Sequence, residues 1–152
     1  MANFEIAFNK TMENEGGFSN DPDDHGGITK FGISKKSFPD EDIANLTLER
    51  AKQIYKYAYW DKMHCDEIIS QPLADKIFDL GVNLGCGRIV KIIQRLLDLV
   101  VDGIIGIKTI GAINNQDASS LLSDIREKVK DYYASLDQPK FIHGWLNRLY
   151  RD

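Results

Sequence analysis

The run from Ile89 to Val101 constrains the fold of this chain more than any other segment. Ile89, Ile92, Ile93, Leu96, Leu97 and Val100 leave it nearly apolar on three sides, and such a helix is stable only when other elements cover it. The expectation is a mainly α fold, a helical bundle around a central buried helix that Asp102-Gly103 ends. Asn3 to Asn14 supplies a first partner, with Phe4, Ala7, Phe8, Thr11 and Met12 at helical spacing and Gly16-Gly17 as its stop. Thr47 can cap a helix running to about Tyr59, striped by Leu48, Ala51, Ile54, Tyr55 and Ala58. Ser70 and Pro72 open another, which turns Leu73, Ile77, Phe78 and Leu80 inward and stops near Asn83 to Gly87. A short helix over Gly106 to Ile113, a long one over Asp117 to Leu136 and a terminal one from Pro139 complete the set. Only Ile28 to Ile33 has the β-branched and aromatic character of a short strand or hairpin, so the α+β content beyond the helices is one hairpin after the first helix.

The totals narrow the class. A chain of 152 residues suits one domain with one core, and no linker or repeat argues for a cut. A formal charge of -4 disfavours nucleic acid as a partner, since phosphate neutralisation needs surplus Lys and Arg. No apolar run approaches the roughly 18 residues of a membrane span, so no membrane insertion is expected. Met1 to Lys10 lacks a basic segment followed by an apolar one. The reading is therefore synthesis in the cytoplasm without a cleavable signal. Cys65 and Cys86 can make at most one disulfide and are read as free thiols. The chain is read as a monomer that uses no cofactor.

The chemistry concentrates between Glu13 and Ile33, where acids, a histidine and a threonine alternate with glycines. On a helical wheel Glu15 falls about 20° from Phe4, and Glu13 about 160° away from Glu15. Glu15 thus faces inward and Glu13 faces water. Burial and the negative helix end both favour the protonated form of Glu15. Asp24 follows nine residues later and Thr29 five after that. Two carboxylates in different environments suit glycoside hydrolysis, one as acid and one ionised beside the cationic centre, while a hydrogen-bonded acid capping the loop is the alternative. Asp21, Asp23, His25 and Gly26 imitate the start of a calcium loop, but Gly32 stands where the bidentate glutamate belongs. His64, Cys65, Cys86 and His143 lack the local spacing of a zinc site. No metal is expected.

These residues also carry a family resemblance. Glu15-Gly16-Gly17-Phe18, Asn20-Asp21-Pro22 and Asp24-x-Gly26-Gly27-x-Thr29-x-x-Gly32-Ile33 closely resemble the signature of the glycoside hydrolase family 108 muramidases, which include phage endolysins and proteins labelled secretion activators. Tyr59-Trp60-Asp61-Lys62, Phe78-Asp79-x-x-Val82-Asn83-x-Gly85, Asp102-Gly103-x-x-Gly106-x-x-Thr109 and Gly144-Trp145-x-x-Arg148 extend it over nearly the whole chain. The resemblance implies a lysozyme-like fold over residues 1–152, with about 86–152 as a peptidoglycan-binding-like helical subdomain packed on the same core. It implies cleavage of peptidoglycan glycan strands between N-acetylmuramic acid and N-acetylglucosamine, with Glu15 as the essential acid. Such a protein reaches the wall through a holin or a secretion-linked release. In the similar phage-type lysozymes the threonine lies one residue further on than Thr29 does here. Asp79 and Asn83, one turn apart, are candidates to hold sugar hydroxyls, or else a helix-surface acid and a capping amide. Trp60 and Tyr59 are candidates to stack on sugar faces, or else core aromatics. A noncatalytic wall-binding module and a lytic transglycosylase using the same glutamate are the rival functions.

Overall fold

The computed structural model describes residues 1–14 and 29–152. Glu15, Asp24 and the Gly16-Gly17 stop lie outside the described residues. Within them the chain forms α1 (Phe4–Asn14), a hairpin of β1 (Thr29–Lys30) and β2 (Ile33–Ser34), then α2 (Leu48–Tyr55), α3 (Gln71–Leu84), α4 (Cys86–Leu96), α5 (Ile107–Asn114), α6 (Ala118–Ser135) and α7 (Pro139–Tyr150). The architecture is mainly helical with one small antiparallel sheet, as the sequence predicts. A π-helical turn, Lys56–Trp60, continues α2 directly.

Local chemistry sets the helix starts. Asn3 Oδ1 accepts from the Glu5 and Ile6 amides at 2.8 and 3.3 Å. Thr47 Oγ1 accepts from Arg50 N, Ser70 Oγ from Leu73 N and Asp117 Oδ2 from Ser120 N. Each satisfies an amide that the first helical turn leaves unpaired. The start of α1 is also tied to that of α3, because Gln71 accepts from Asn3 N and donates back to Asn3 O. α1 therefore enters the bundle at a fixed height, with Ala7, Phe8 and Thr11 buried and Glu13 exposed.

The central helix is α3 rather than the Ile89–Val101 run. Residues Leu73 to Gly81 are buried without interruption, and α3 packs on α1, α4 and α6. Helix α4 stops at Leu96, after which Asp98 takes a positive φ of 60° and Val100 is left 82% exposed. The apolar run is thus one amphipathic helix followed by a surface loop. Asp75, Lys76 and Asp79 disguise α3 in the sequence, since charged residues are buried only when partnered. Lys10 Nζ meets Asp75 at 2.7 Å, Asp79 pairs with Arg148, and Lys76 donates to the Arg148 carbonyl.

Aromatic rings fill the space between α1, α2 and α3. Phe4 contacts Phe8, Trp60 and Phe78 at centroid distances of 5.6, 5.5 and 5.7 Å, mostly edge-on, an arrangement the ring quadrupoles favour. Trp60 is 1% exposed. Of the two readings the sequence leaves open for Trp60, sugar stacking or core, its packing between Phe4 and Phe78 matches the core one and speaks against stacking on a sugar. Tyr59 is half-buried between Phe38 and Tyr55.

The hairpin turns through Phe31 (φ 52°) and Gly32 (φ 77°). Two successive positive φ values are the requirement of a two-residue turn that follows the strand twist. Phe31 pays a steric penalty there that glycine would not, and the Tyr55 hydroxyl donates to its carbonyl at 2.7 Å. Tyr55→Phe is expected to destabilise the fold by about 1 kcal/mol. Equilibrium denaturation checks the size, and faster hydrogen exchange confined to the hairpin checks the place.

Candidate active site

Asp79 stands near the C-terminal half of α3, 5% exposed. Its Oδ1 accepts from Thr11 Oγ1 of α1 at 3.0 Å and from Arg148 Nη2 of α7 at 2.9 Å, while Oδ2 accepts from Arg148 Nε at 3.1 Å. A planar guanidinium matches a carboxylate in this two-point manner, and a lysine would not. One buried carboxylate therefore fixes three helices at one point. Of the two readings the sequence leaves open for Asp79, this is the helix-anchoring one, and the same residue also lines the pocket beside α1.

Lys76, one turn earlier on α3, is 7% exposed and donates to the Arg148 and Arg151 carbonyls at 3.0 and 2.8 Å. It closes the C-terminal end of α7, where orphan carbonyls and the helix dipole favour a donor. Burial lowers its pKa from 10.5 to about 8, with the nearby Arg126 and Arg148 charges acting in the same direction and Asp79 opposing. The unfolded chain keeps its proton up to the higher value, so it binds more protons than the folded chain between about pH 8 and 10.5. Folding stability from this group consequently rises with pH across that window and is flat below it. Denaturation of the wild type at pH 7.5 and about 10, compared with Lys76→Met, should show the extra rise only in the wild type.

The end of α1 is held from the same side. Asn14 Oδ1 accepts from Arg151 Nη1 at 2.6 Å, and a pocket of about 310 Å³ runs along Lys10, Thr11 and Asn14 against Asp75, Asp79 and Arg126. Arg126 in turn donates to Leu149 O at 3.1 Å. The residue before Glu15 is thus anchored to the chain's last turn. Thr29 opens β1, half-buried and in register with Ser34, so its placement follows from the hairpin that Tyr55 secures.

Asn83, one turn beyond Asp79, donates from Nδ2 to the Tyr133 hydroxyl at 2.6 Å. Burial pushes the Tyr133 pKa up to about 12, so the phenol stays neutral. Its ring stacks on Trp145 at 5.2 Å, and Trp145 stacks on Phe141 at 5.8 Å. Phe141 is 47% exposed. The three rings make an aromatic row from the core beside Asn83 to the surface. Periodicity identifies Phe141 and Trp145 as apolar positions of the terminal helix but places Tyr132 rather than Tyr133 on the inner face of the long one; Tyr133 is the buried residue, and its stacking on Trp145 joins α6 to α7. The structure brings Asp79 and Asn83 together on α3 with Arg148 and Tyr133. It sets Trp60 apart from them, in the α1–α2 aromatic core.

Cys65 and Cys86 are free and buried, and burial is the main cause that raises both thiol pKa values, strongly for Cys65. Protonated, enclosed thiols are poor nucleophiles. Among the described residues no group of three or more His, Cys, Asp or Glu is arranged to hold a metal, and no helix is long and apolar enough to cross a membrane.

Residues 8–85, from within α1 to just past α3, match the model of glycosyl hydrolase 108. The chain belongs to the glycosyl hydrolase 108 family. In this glycosyl hydrolase 108 protein, residues 88–150 also match the model of a predicted peptidoglycan domain, and the two matches meet at the turn where Gly85 takes a φ of 91°. The fold is similar to the solved structure of Brucella abortus SagA, with a TM-score of 0.87 and 26% identity over 96% of this chain and 88% of that one. No curated protein matches the glycosyl hydrolase 108 chain in sequence. The two domain matches support a glycoside hydrolase that acts on peptidoglycan.

Proposed function

We propose that the protein is an N-acetylmuramidase, hydrolysing peptidoglycan glycan between N-acetylmuramic acid and N-acetylglucosamine with Glu15 as general acid. The observation that carries this reading is the double anchoring of α1 immediately before Glu15, by Asn14 to Arg151 and by Thr11 to the Asp79–Arg148 pair. A general acid must meet the glycosidic oxygen at hydrogen-bond distance, which a fixed helix end favours. The family match, which spans Glu15, supports the same assignment.

In this mechanism Glu15 gives its proton to the leaving oxygen as the oxocarbenium-like centre develops. Asp24 stabilises that centre or activates a water, and Thr29, presented by the hairpin, orients the water or Asp24. Asn83, held by the Tyr133 hydroxyl, is the residue proposed to meet sugar hydroxyl or acetamido groups. The protein meets this substrate after a holin-dependent or secretion-linked release, as a monomer.

Digestion of purified peptidoglycan with mass spectrometry of the fragments tests the proposal. Reducing N-acetylmuramic acid ends are the expected product, absent from the Glu15→Gln digest. Anhydro ends would identify a lytic transglycosylase instead, released stem peptides an amidase, and binding without turnover a noncatalytic module.

A further inference from the structure

Helices α4 and α6 enclose a second recess, of about 570 Å³. Arg88, Ile92 and Arg95 face it from α4, and Lys128 and Tyr132 from α6. Spacings of three and four residues put each set on one helix face. Ile92, Leu96 and Tyr132 are half-buried and form an apolar floor, whereas Arg88, Arg95 and Lys128 are exposed at the rim. Asp131 is the one acid lining it among the described residues.

The charge is unusual for this molecule. The chain carries a formal -4, yet the groove sets three cations against one carboxylate. None of the three makes a salt bridge with another described residue. Other exposed cations, Lys62, Lys91 and Lys108 among them, also lack a salt bridge with a described residue, so what distinguishes the groove is that three such cations share one recess with a single described acid. The Arg88 guanidinium lies over the Tyr132 ring at 4.8 Å. Stacking engages its face and leaves the N–H edge able to donate to a carboxylate.

We propose that this groove binds the acidic peptide stems of peptidoglycan, not its glycan. The inference rests on the peptidoglycan reading of residues 88–150. Charge complementarity selects the stem: its free carboxylates match the rim cations and its alanine methyl groups match the apolar floor, whereas the glycan of a peptide-bearing strand has its lactyl carboxyl tied up as an amide and offers no free carboxylate. Arg88 and Arg95 are two helical turns apart, about 10.5 Å along the axis. Three extended peptide residues cover that length at roughly 3.3 to 3.6 Å each. Stem binding here would hold peptide-bearing wall on the protein independently of the residues that cleave the strand.

The test titrates the full chain with a disaccharide-tetrapeptide muropeptide, the same compound with its carboxylates amidated, and the peptide-free disaccharide with its lactyl carboxyl amidated. The wild type should bind the acidic muropeptide about tenfold more tightly than either control, and Arg95→Gln with Lys128→Gln should erase that preference. Equal binding of acidic and amidated muropeptide by the wild type overturns the proposal without requiring any variant to fold. So does an unchanged acidic preference in a variant whose circular dichroism and melting match the wild type. Cleavage of peptide-free glycan strands separates this inference from the muramidase reading, because the groove variant should retain it. If the wild type cleaves no glycan yet prefers the acidic stem, the muramidase reading fails and the groove stands. If it cleaves glycan and ignores the stem, the groove fails alone.

Discussion

Replacing Arg148 by alanine is expected to lower the unfolding free energy by about 3 to 5 kcal/mol, because it strips a buried carboxylate of its ionic partner. Asp79, 5% exposed, would keep the Thr11 hydroxyl but lose both guanidinium bonds. Arg148→Lys should recover part of the loss, since one ammonium cannot reproduce the two-point contact. The double change Asp79→Leu with Arg148→Met should recover part of it, because it removes the uncompensated carboxylate while taking from buried Lys76 the Asp79 charge that favours its ammonium. Urea denaturation of the four proteins checks the series. A midpoint unchanged in Arg148→Ala would show that the clamp does not hold the three helices.

Glu15→Gln is expected to slow peptidoglycan hydrolysis by about 10² to 10⁴-fold, the usual contribution of a positioned general acid. The amide keeps the size and hydrogen-bonding reach of the side chain while removing its transferable proton, so binding of the wall should survive. Glu13→Gln is the internal control. Glu13 is exposed on the last turn of α1, and its replacement should leave the rate within experimental error. Turbidity loss of a cell-wall suspension gives the rates, and a pull-down on insoluble wall gives the binding. A Glu15→Gln protein with the wild-type rate would remove Glu15 from the mechanism.

What the sequence disclosed follows from the range of the interactions involved. Helix starts at Thr47, Ser70 and Asp117 were legible because a cap and the amide it accepts lie three residues apart. The hairpin was legible from β-branched residues around a glycine. The burial of α3 was not, since Asp79 finds Arg148 at a separation of 69 residues and Lys76 finds the Arg151 carbonyl at 75. Local pattern scores such residues as surface. Trp60 shows the converse limit: an aromatic at a helix end reads equally as a sugar platform or as core, and only the rings of Phe4 and Phe78, brought in from other helices, decide between them. Asn83 was visible as a candidate, but Tyr133, 50 residues away, gives it its partner.

Gln94 of α4 ties down the turn that follows its helix. It is 1% exposed, and its amide donates to Asp102 Oδ1 and Ile104 O at 2.9 and 3.0 Å while accepting from the Asp102 and Gly103 amides at 3.1 and 3.0 Å. One side chain thereby holds the backbone of the turn between α4 and α5, although Ile104 and Ile107 point 70% and 93% of their surface to solvent. A protease must draw a stretch of backbone out into an extended form before cutting it. This turn therefore offers attractive apolar side chains on a main chain that cannot be pulled free, and limited digestion should spare it until Gln94 is replaced by alanine.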